Sequence, residues 1–143
     1  MLNLTSLRVS AGFTLIELMI SVAITAQIAV ALGLMHIIFT MRVGGYRLKN
    51  EISLGDGGDK QLLKRIRAHA NFTETVPIAL ILILLNELNA ASTAILYALA
   101  GTLIVARLMH YVSIAFKTPL LVRVVGMTAT LLVIAGSSIL LLI

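Results

Sequence analysis

The chain of 143 residues contains no cysteine, which excludes disulfide bonds, thiolate metal sites and a cysteine nucleophile. It is also poor in charge, because only 12% of its residues are Asp, Glu, Lys or Arg, about half the share in soluble domains. In contrast, 59% of the residues are hydrophobic and the mean hydropathy is +1.06. The apolar residues fall in four long blocks, a pattern that indicates an integral membrane protein.

The four apolar blocks predict four transmembrane helices. They run from about Leu15 to Met41, from Val76 to Leu88, from Thr93 to Phe116 and from Leu120 to Ile143. Since about 20 helical residues cross the hydrocarbon core, the second block suffices only if its helix begins earlier, near Lys60. Backbone polar groups must be satisfied internally within lipid. The predicted fold class is therefore all-α, an integral membrane four-helix bundle.

Lysine and arginine are unevenly distributed among the connections between these spans. The first connection holds seven of them, the second ("NELNAAS") holds none, and the third holds Lys117 with Arg123 close by. The segment before the first span has Arg8 alone. The positive-inside rule then places the first and third connections in the cytoplasm and both termini outside. The net charge of +5 is explained by topology and anionic headgroups, so no nucleic-acid partner is predicted.

Polar and ionisable residues enter three of the predicted helices near their cytoplasmic ends. Two groups share a helical face by their spacing: Arg67, Asn71 and Glu74 at i, i+4 and i+7, and Arg107, His110 and Tyr111 at i, i+3 and i+4. Arg123 lies at the start of the fourth helix. Ionisable groups inside a membrane are costly and usually face a partner or a wet cavity. A shared polar site is therefore predicted.

Two interpretations of this site are open at the level of the residues. In one, Glu74 pairs with an arginine of another helix and only holds the bundle together. In the other, the site binds an anionic ligand, because the arginines outnumber the single nearby carboxylate. No group of histidines and carboxylates has the spacing of metal ligands, so no metal site is predicted.

The segments "RAHANFTETVP" and "ARLMHY", preceded by "GDGG", resemble the MAPEG family, the membrane-associated proteins of eicosanoid and glutathione metabolism. The pattern Arg-x-x-x-Asn-x-x-Glu-x-x-Pro, from Arg67 to Pro77, is the most specific element, and the likeness is closest to the small bacterial members. The resemblance covers residues 45–143, and we assign a four-span domain to residues 19–143. It implies a homotrimer in the bacterial inner membrane that binds glutathione between subunits, near the cytoplasmic side.

The resemblance also implies an activity and a set of site residues. The expected function is a glutathione-dependent transferase or peroxidase that acts on lipophilic electrophiles or lipid hydroperoxides. Arg123 matches the arginine that stabilises the thiolate of glutathione. Glutathione binding is expected from Arg47, Arg67, Asn71, Glu74, Arg107, His110 and Tyr111. Guanidinium groups suit the two carboxylates of glutathione, and a nearby cation favours its thiolate form.

Two other functions agree with parts of the sequence. A non-catalytic MAPEG-like protein that holds lipid or glutathione would keep the same scaffold. The chain has Ala70 where some members have arginine, and Ile114 where many have tyrosine, which keeps this alternative open. A small four-span transporter would use a lone glutamate in its first span, such as Glu17. The arginine-rich site, however, suits anions better than the cations that those transporters move.

The N-terminal stretch "GFTLIELMISVAI", Gly12 to Ile24, resembles the type IV prepilin signature, in which a peptidase cuts after the glycine and the new N-terminal phenylalanine is methylated. A prepilin sends the segment after its helix outward, and here that segment carries the seven basic residues. We therefore expect residues 1–18 to form an N-terminal extension without pilin function. The alternative is a chain that starts at Met19, which leaves a sufficient first span.

Overall fold

The computed structural model describes residues 22–116 and 118–143. These residues form four helices: α1 (Ala23–Lys49), α2 (Lys60–Leu88), α3 (Thr93–Ala115) and α4 (Leu120–Leu140). Each is long and apolar enough to cross a membrane, and the described residues contain no β-strand. The predicted all-α membrane four-helix bundle is therefore confirmed. Glu17, Lys117 and the extension predicted for residues 1–18 lie outside the described part of the chain.

The first helix is longer than its apolar block. α1 continues past Met41 to Lys49, so that the start of the predicted first connection is helical. Asn50 closes the last turn, because its backbone N–H and its side-chain amide donate to the carbonyl of Tyr46 at 3.2 and 2.7 Å. Lysine and arginine are good helix formers. The charge pattern therefore did not indicate where α1 stops.

α2 begins at a strong N-terminal cap. The Asp59 carboxylate accepts from the backbone N–H of Gln61 at 2.6 Å and of Leu62 at 2.9 Å, and the predicted start near Lys60 is confirmed. The Tyr46 hydroxyl donates to the other carboxylate oxygen at 2.9 Å. The Leu62 N–H and the Tyr46 hydroxyl hold the pKa of this carboxyl below its ordinary value. The hydrogen bond between Tyr46 and Asp59 also joins the end of α1 to the start of α2.

The core of the bundle is built mainly on α2 and α3. Each of these two helices contacts the other three, and the contact between α3 and α4 is the most extensive. The side chains of Leu32, Ala79, Ile83, Leu103 and Val133 are buried at the centre. Many other apolar side chains point outward, as expected where the surrounding solvent is lipid.

α4 approaches α3 most closely at Gly126. A Cβ atom added to Gly126 would lie 2.9 Å from both the carbonyl oxygen of Ala106 and the backbone nitrogen of His110. Both atoms belong to the α3 backbone and cannot rotate away. Gly136, on the same helix, has nothing within 4 Å of the equivalent position. Of the two glycines of α4, Gly126 alone is therefore required by packing.

We expect Gly126→Ala to destabilise the bundle, whereas Gly136→Ala should be neutral or slightly stabilising. Overpacking costs about 1–3 kcal/mol, while replacing glycine by alanine in a helix gains about 0.5–1 kcal/mol. Thermal unfolding of both purified variants, followed by circular dichroism, measures the difference. Equal melting temperatures for the two variants would contradict the close approach of α4 to α3.

Glu87 joins α1 to α2 at the opposite end of the bundle from the Asp59 cap. Its carboxylate is buried, with 6% of the residue exposed, and accepts from the backbone N–H groups of Ile24 and Thr25, each at 2.8 Å. These are two of the N–H groups that the first turn of a helix leaves without a partner. The sequence pattern had placed Glu87 in a short connection and assigned it no role.

Candidate functional site

A cavity of about 410 Å³ opens between α2, α3 and α4. It lies toward the basic end of the bundle, defined as the end with the α1–α2 loop (residues 50–59) and the α3–α4 turn. Five of the polar side chains predicted for the site line it: Arg67, Asn71, Glu74, His110 and Arg123. We call this space the basic cavity. It brings together five of the eight residues that the sequence proposed for one site.

The helical spacing of polar residues explains which side chains form the α2 wall of the basic cavity. Arg67, Asn71 and Glu74 line it together with Ala70, as the i, i+4, i+7 pattern predicted. Arg67 and Glu74 are exposed, and Asn71 is partly buried. Glu74 lines the same cavity as Arg67 and Arg123. Pairing with an arginine and binding of a ligand therefore both stay predictions for this carboxylate.

Arg107 lies beneath the cavity and not on its wall. Only 1% of the residue is exposed. One terminal nitrogen, Nη1, donates to Asn71 Oδ1 at 2.8 Å and to Thr75 Oγ1 at 2.9 Å. The other, Nη2, donates to the Gly126 carbonyl at 3.3 Å and lies 3.9 Å from Met127 Sδ. The guanidinium thus links α2, α3 and α4 and holds the Asn71 amide in one orientation.

His110 reaches the cavity from α3 and contacts the backbone of α4. It is buried, with 5% exposed, and its Nδ1 lies 3.3 Å from the Arg123 carbonyl oxygen. Because a carbonyl only accepts, the proton of this hydrogen bond resides on Nδ1. The neutral ring then has Nε2 as an acceptor. The same contact places the start of α4, and with it Arg123, beside the α3 wall.

Two of the residues proposed for the site lie elsewhere. Tyr111 is buried and stacks on Phe39 of α1, with ring centroids 3.4 Å apart. It follows His110 directly, and consecutive residues are about 100° apart around a helix, so the two side chains leave α3 in different directions. Arg47 lies at the end of α1, where Nη1 is 3.5 Å from the Ser53 carbonyl. Neither residue lines the basic cavity.

The structure also adds residues that the sequence pattern did not single out. Thr75 is one turn beyond Asn71 and binds the buried arginine, so its spacing could have revealed it. Met127 and Thr128 of α4 line the cavity, and no sequence signal distinguishes them from other residues of that helix. Ala70 and Ile114, the two departures from the family pattern, line it as well. Both differences from the family pattern therefore change side chains that line the cavity.

Comparison with known proteins gives two family matches and one group of relatives. The MAPEG family matches residues 25–143, and the prokaryotic N-terminal methylation motif matches residues 7–34. Inner membrane protein YecN of Escherichia coli strain K12 is 36% identical over 88 residues, which cover 62% of this chain and 67% of YecN. YecN of Escherichia coli O6:H1 gives the same values. No solved structure matches. Both resemblances noted in the sequence are thus confirmed.

Proposed function

We propose that this chain, which belongs to the MAPEG family, binds glutathione in the basic cavity and activates its thiol. The thiolate would conjugate lipophilic electrophiles or reduce lipid hydroperoxides. The observation that carries the proposal is the grouping of two arginines, one carboxylate, one amide and one imidazole around a single cavity of about 410 Å³. This volume lies in the range of small-molecule sites, about 300–1,000 Å³.

The polar groups of the cavity complement those of glutathione. Arg67 and Arg123 suit its carboxylates or its thiolate, because guanidinium groups bind anions through forked hydrogen bonds. Glu74 suits its ammonium group. The Asn71 carbonyl oxygen accepts from Arg107, and its amide nitrogen donates to Met127 Sδ at 3.7 Å, which leaves one amide N–H for a ligand. A cation beside the sulfur lowers the pKa of the thiol and raises its reactive fraction.

The proposal includes a membrane arrangement and an assembly. The basic end faces the cytoplasm and both termini face outward, in agreement with the positive-inside rule. The membrane is a bacterial inner membrane, as the name of YecN states for that relative. A homotrimer would bring a neighbouring chain against the open side of the cavity. Arg47, which lies away from the cavity of its own chain, would then be available to a neighbour.

A non-catalytic glutathione- or lipid-binding protein is the second candidate. Ile114 lines the cavity where many family members have tyrosine, and an isoleucine offers no hydroxyl to the thiol. Binding without thiol activation would leave the arginines and Glu74 in use as ligand anchors. The transporter alternative rested on Glu17, which lies outside the described residues, and the basic cavity suits anions and not cations.

The test is a titration of purified protein with glutathione near neutral pH, with ultraviolet absorbance as a measure of bound thiolate. We expect saturable binding together with a thiolate signal. Arg67→Gln should weaken binding about tenfold or more, because a hydrogen bond to a charged group contributes about 1.5–3 kcal/mol. Arg123→Gln should lower the thiolate signal more than the affinity.

Lys49→Gln is the matched control, since it removes one positive charge from the exposed end of α1. It should bind glutathione as the unaltered protein does. Saturable binding without thiolate would favour the non-catalytic candidate. The absence of binding at millimolar glutathione would overturn both glutathione proposals.

A further inference from the structure

A second group of cationic and aromatic side chains lies at the basic end, on the α1 side of the bundle. The Arg42 guanidinium carbon is 5.9 Å from the ring centroid of Tyr111 and 5.1 Å from that of Phe116. Arg65 of α2 donates from Nη1 to the Arg42 carbonyl oxygen at 3.1 Å. With Thr118 of the α3–α4 turn, these residues form what we call the Arg42 cluster. None of them lines the basic cavity.

Three donors of the Arg42 cluster are buried without a hydrogen-bond partner among the residues that the structure describes. They are Arg42 Nε, the Tyr111 hydroxyl and Thr118 Oγ1. Tyr111 is 4% exposed, and its ring is held in place by stacking on Phe39. Buried polar groups are almost always paired, and an unpaired one costs free energy. Each of the three atoms carries a hydrogen that it can donate. Together they suit a ligand that offers several acceptor oxygens.

The carboxylate nearest to the Arg42 cluster is Asp59, which attracts Arg65. Arg42 packs on aromatic rings, and Arg65 bonds a carbonyl and lies over the Tyr46 ring at 4.4 Å. The carboxylate of this region, Asp59, is bound by the Tyr46 hydroxyl and by the first N–H groups of α2. Arg42, which packs on the Tyr111 and Phe116 rings, is therefore the guanidinium best placed for an anion, and arginine is well suited to phosphate.

The position of the cluster indicates which phosphate it meets. Arg42 directly follows Met41, and Phe116 lies at the end of α3. Both Met41 and Phe116 are exposed, at 69% and 50%. Apolar side chains at the end of a membrane span lie among acyl chains, next to the headgroup layer. Arginines placed there attract anionic lipids of that leaflet.

We propose that Arg42, Arg65 and Tyr111 form a phosphate-binding site that holds the headgroup of an anionic phospholipid against α1, α2 and α3. The phosphate oxygens accept from Arg42 Nε and the Tyr111 hydroxyl, while the acyl chains lie along the exposed apolar surface. The lipid thereby joins α1 to α2 and α3. This site is separate from the basic cavity and does not depend on the binding of glutathione.

The experiment compares phosphatidylglycerol with phosphatidylcholine, each added to delipidated protein in a neutral detergent. Bound lipid is counted by native mass spectrometry, and thermal unfolding is followed in parallel. Phosphatidylglycerol should bind and raise the melting temperature, since a ligand that binds only the folded state stabilises it. Phosphatidylcholine should bind at least about tenfold more weakly, because its headgroup carries no net charge. Equal binding and equal shifts with both lipids would overturn the proposal.

Two variants test the residues, and one control tests general charge. Arg42→Gln and Tyr111→Phe should each weaken phosphatidylglycerol binding about tenfold, and Tyr111→Phe keeps the ring stacked on Phe39. Lys49→Gln should bind the lipid as the unaltered protein does. If both variants keep full affinity, the site is disproved. Arg42→Gln should also bind glutathione normally, so that failure of this proposal is distinguishable from failure of the glutathione site.

Inorganic phosphate distinguishes a lipid headgroup from a free phosphate. Added without lipid, it should produce little stabilisation, because it lacks the acyl chains that lie on the apolar surface. Stabilisation by inorganic phosphate that phosphatidylglycerol does not reproduce would overturn the assignment to a lipid.

Discussion

Replacing Glu87 by leucine should lower the free energy of unfolding by about 3–5 kcal/mol, the largest stability effect that we expect of any single change. The carboxylate accepts two backbone N–H groups of α1, at 2.8 Å each, and hydrogen bonds to a charged group contribute about 1.5–3 kcal/mol each. Leucine fills similar space but leaves both N–H groups buried and unpaired. Water does not reach such groups readily within a bundle, so the loss is not repaired by solvation.

The position of Glu87 at the N-terminus of α1 makes a second contribution to the free energy of unfolding. The N-terminus of a helix carries a partial positive charge, which a carboxylate stabilises. Glu87→Gln should therefore lie between the unaltered protein and Glu87→Leu, because it retains one acceptor oxygen but loses the charge. Thermal unfolding in detergent or nanodiscs measures the series. Hydrogen exchange should show the loss first at the amides of Ile24 and Thr25.

The control for this series is Glu51→Gln, which removes an exposed carboxylate in the α1–α2 loop. It should leave the melting temperature nearly unchanged. If Glu87→Leu unfolds at the same temperature as Glu51→Gln, the hydrogen bonds to α1 do not contribute to stability. The role that we assign to Glu87 would then be wrong.

Replacing Arg107 by lysine should weaken glutathione binding about tenfold to a hundredfold, although Arg107 does not line the cavity. The planar guanidinium donates in two directions at once, from Nη1 to Asn71 and Thr75 and from Nη2 to the Gly126 carbonyl. A lysine ammonium keeps the charge but cannot reproduce this fork. The Asn71 amide would lose its fixed orientation, and one polar wall of the cavity would become disordered.

This prediction separates a positioning role from a simple effect of charge. Arg107→Met removes both the charge and the fork, while Arg107→Lys removes only the fork. If positioning dominates, both variants bind glutathione weakly, and isothermal calorimetry should show similar losses of affinity. Normal affinity of Arg107→Lys would show that positive charge alone is required. Thermal unfolding of both variants, measured in the same buffer, distinguishes loss of the site from loss of the fold.

The sequence was sufficient for the fold class and for one wall of the site. Membrane spans are determined by the length of apolar blocks, because every backbone polar group within lipid must be satisfied inside its own helix. The face shared by Arg67, Asn71 and Glu74 follows from the period of a single helix. The start of α2 follows from Asp59, since a cap acts on the next three residues. The membrane spans, the polar face of α2 and the start of α2 each depend only on residues that are close together in the sequence.

The tertiary structure decided everything that depends on how two helices meet. His110 and Tyr111 are neighbours in the chain, yet one lines the basic cavity and the other packs on α1. Which face of α3 meets which helix is set by the approach of α4 at Gly126, and no local pattern encodes that approach. Glu87 was assigned to a loop because its partners, the first N–H groups of α1, are distant in sequence. Packing between helices, and not helical period, determined these roles.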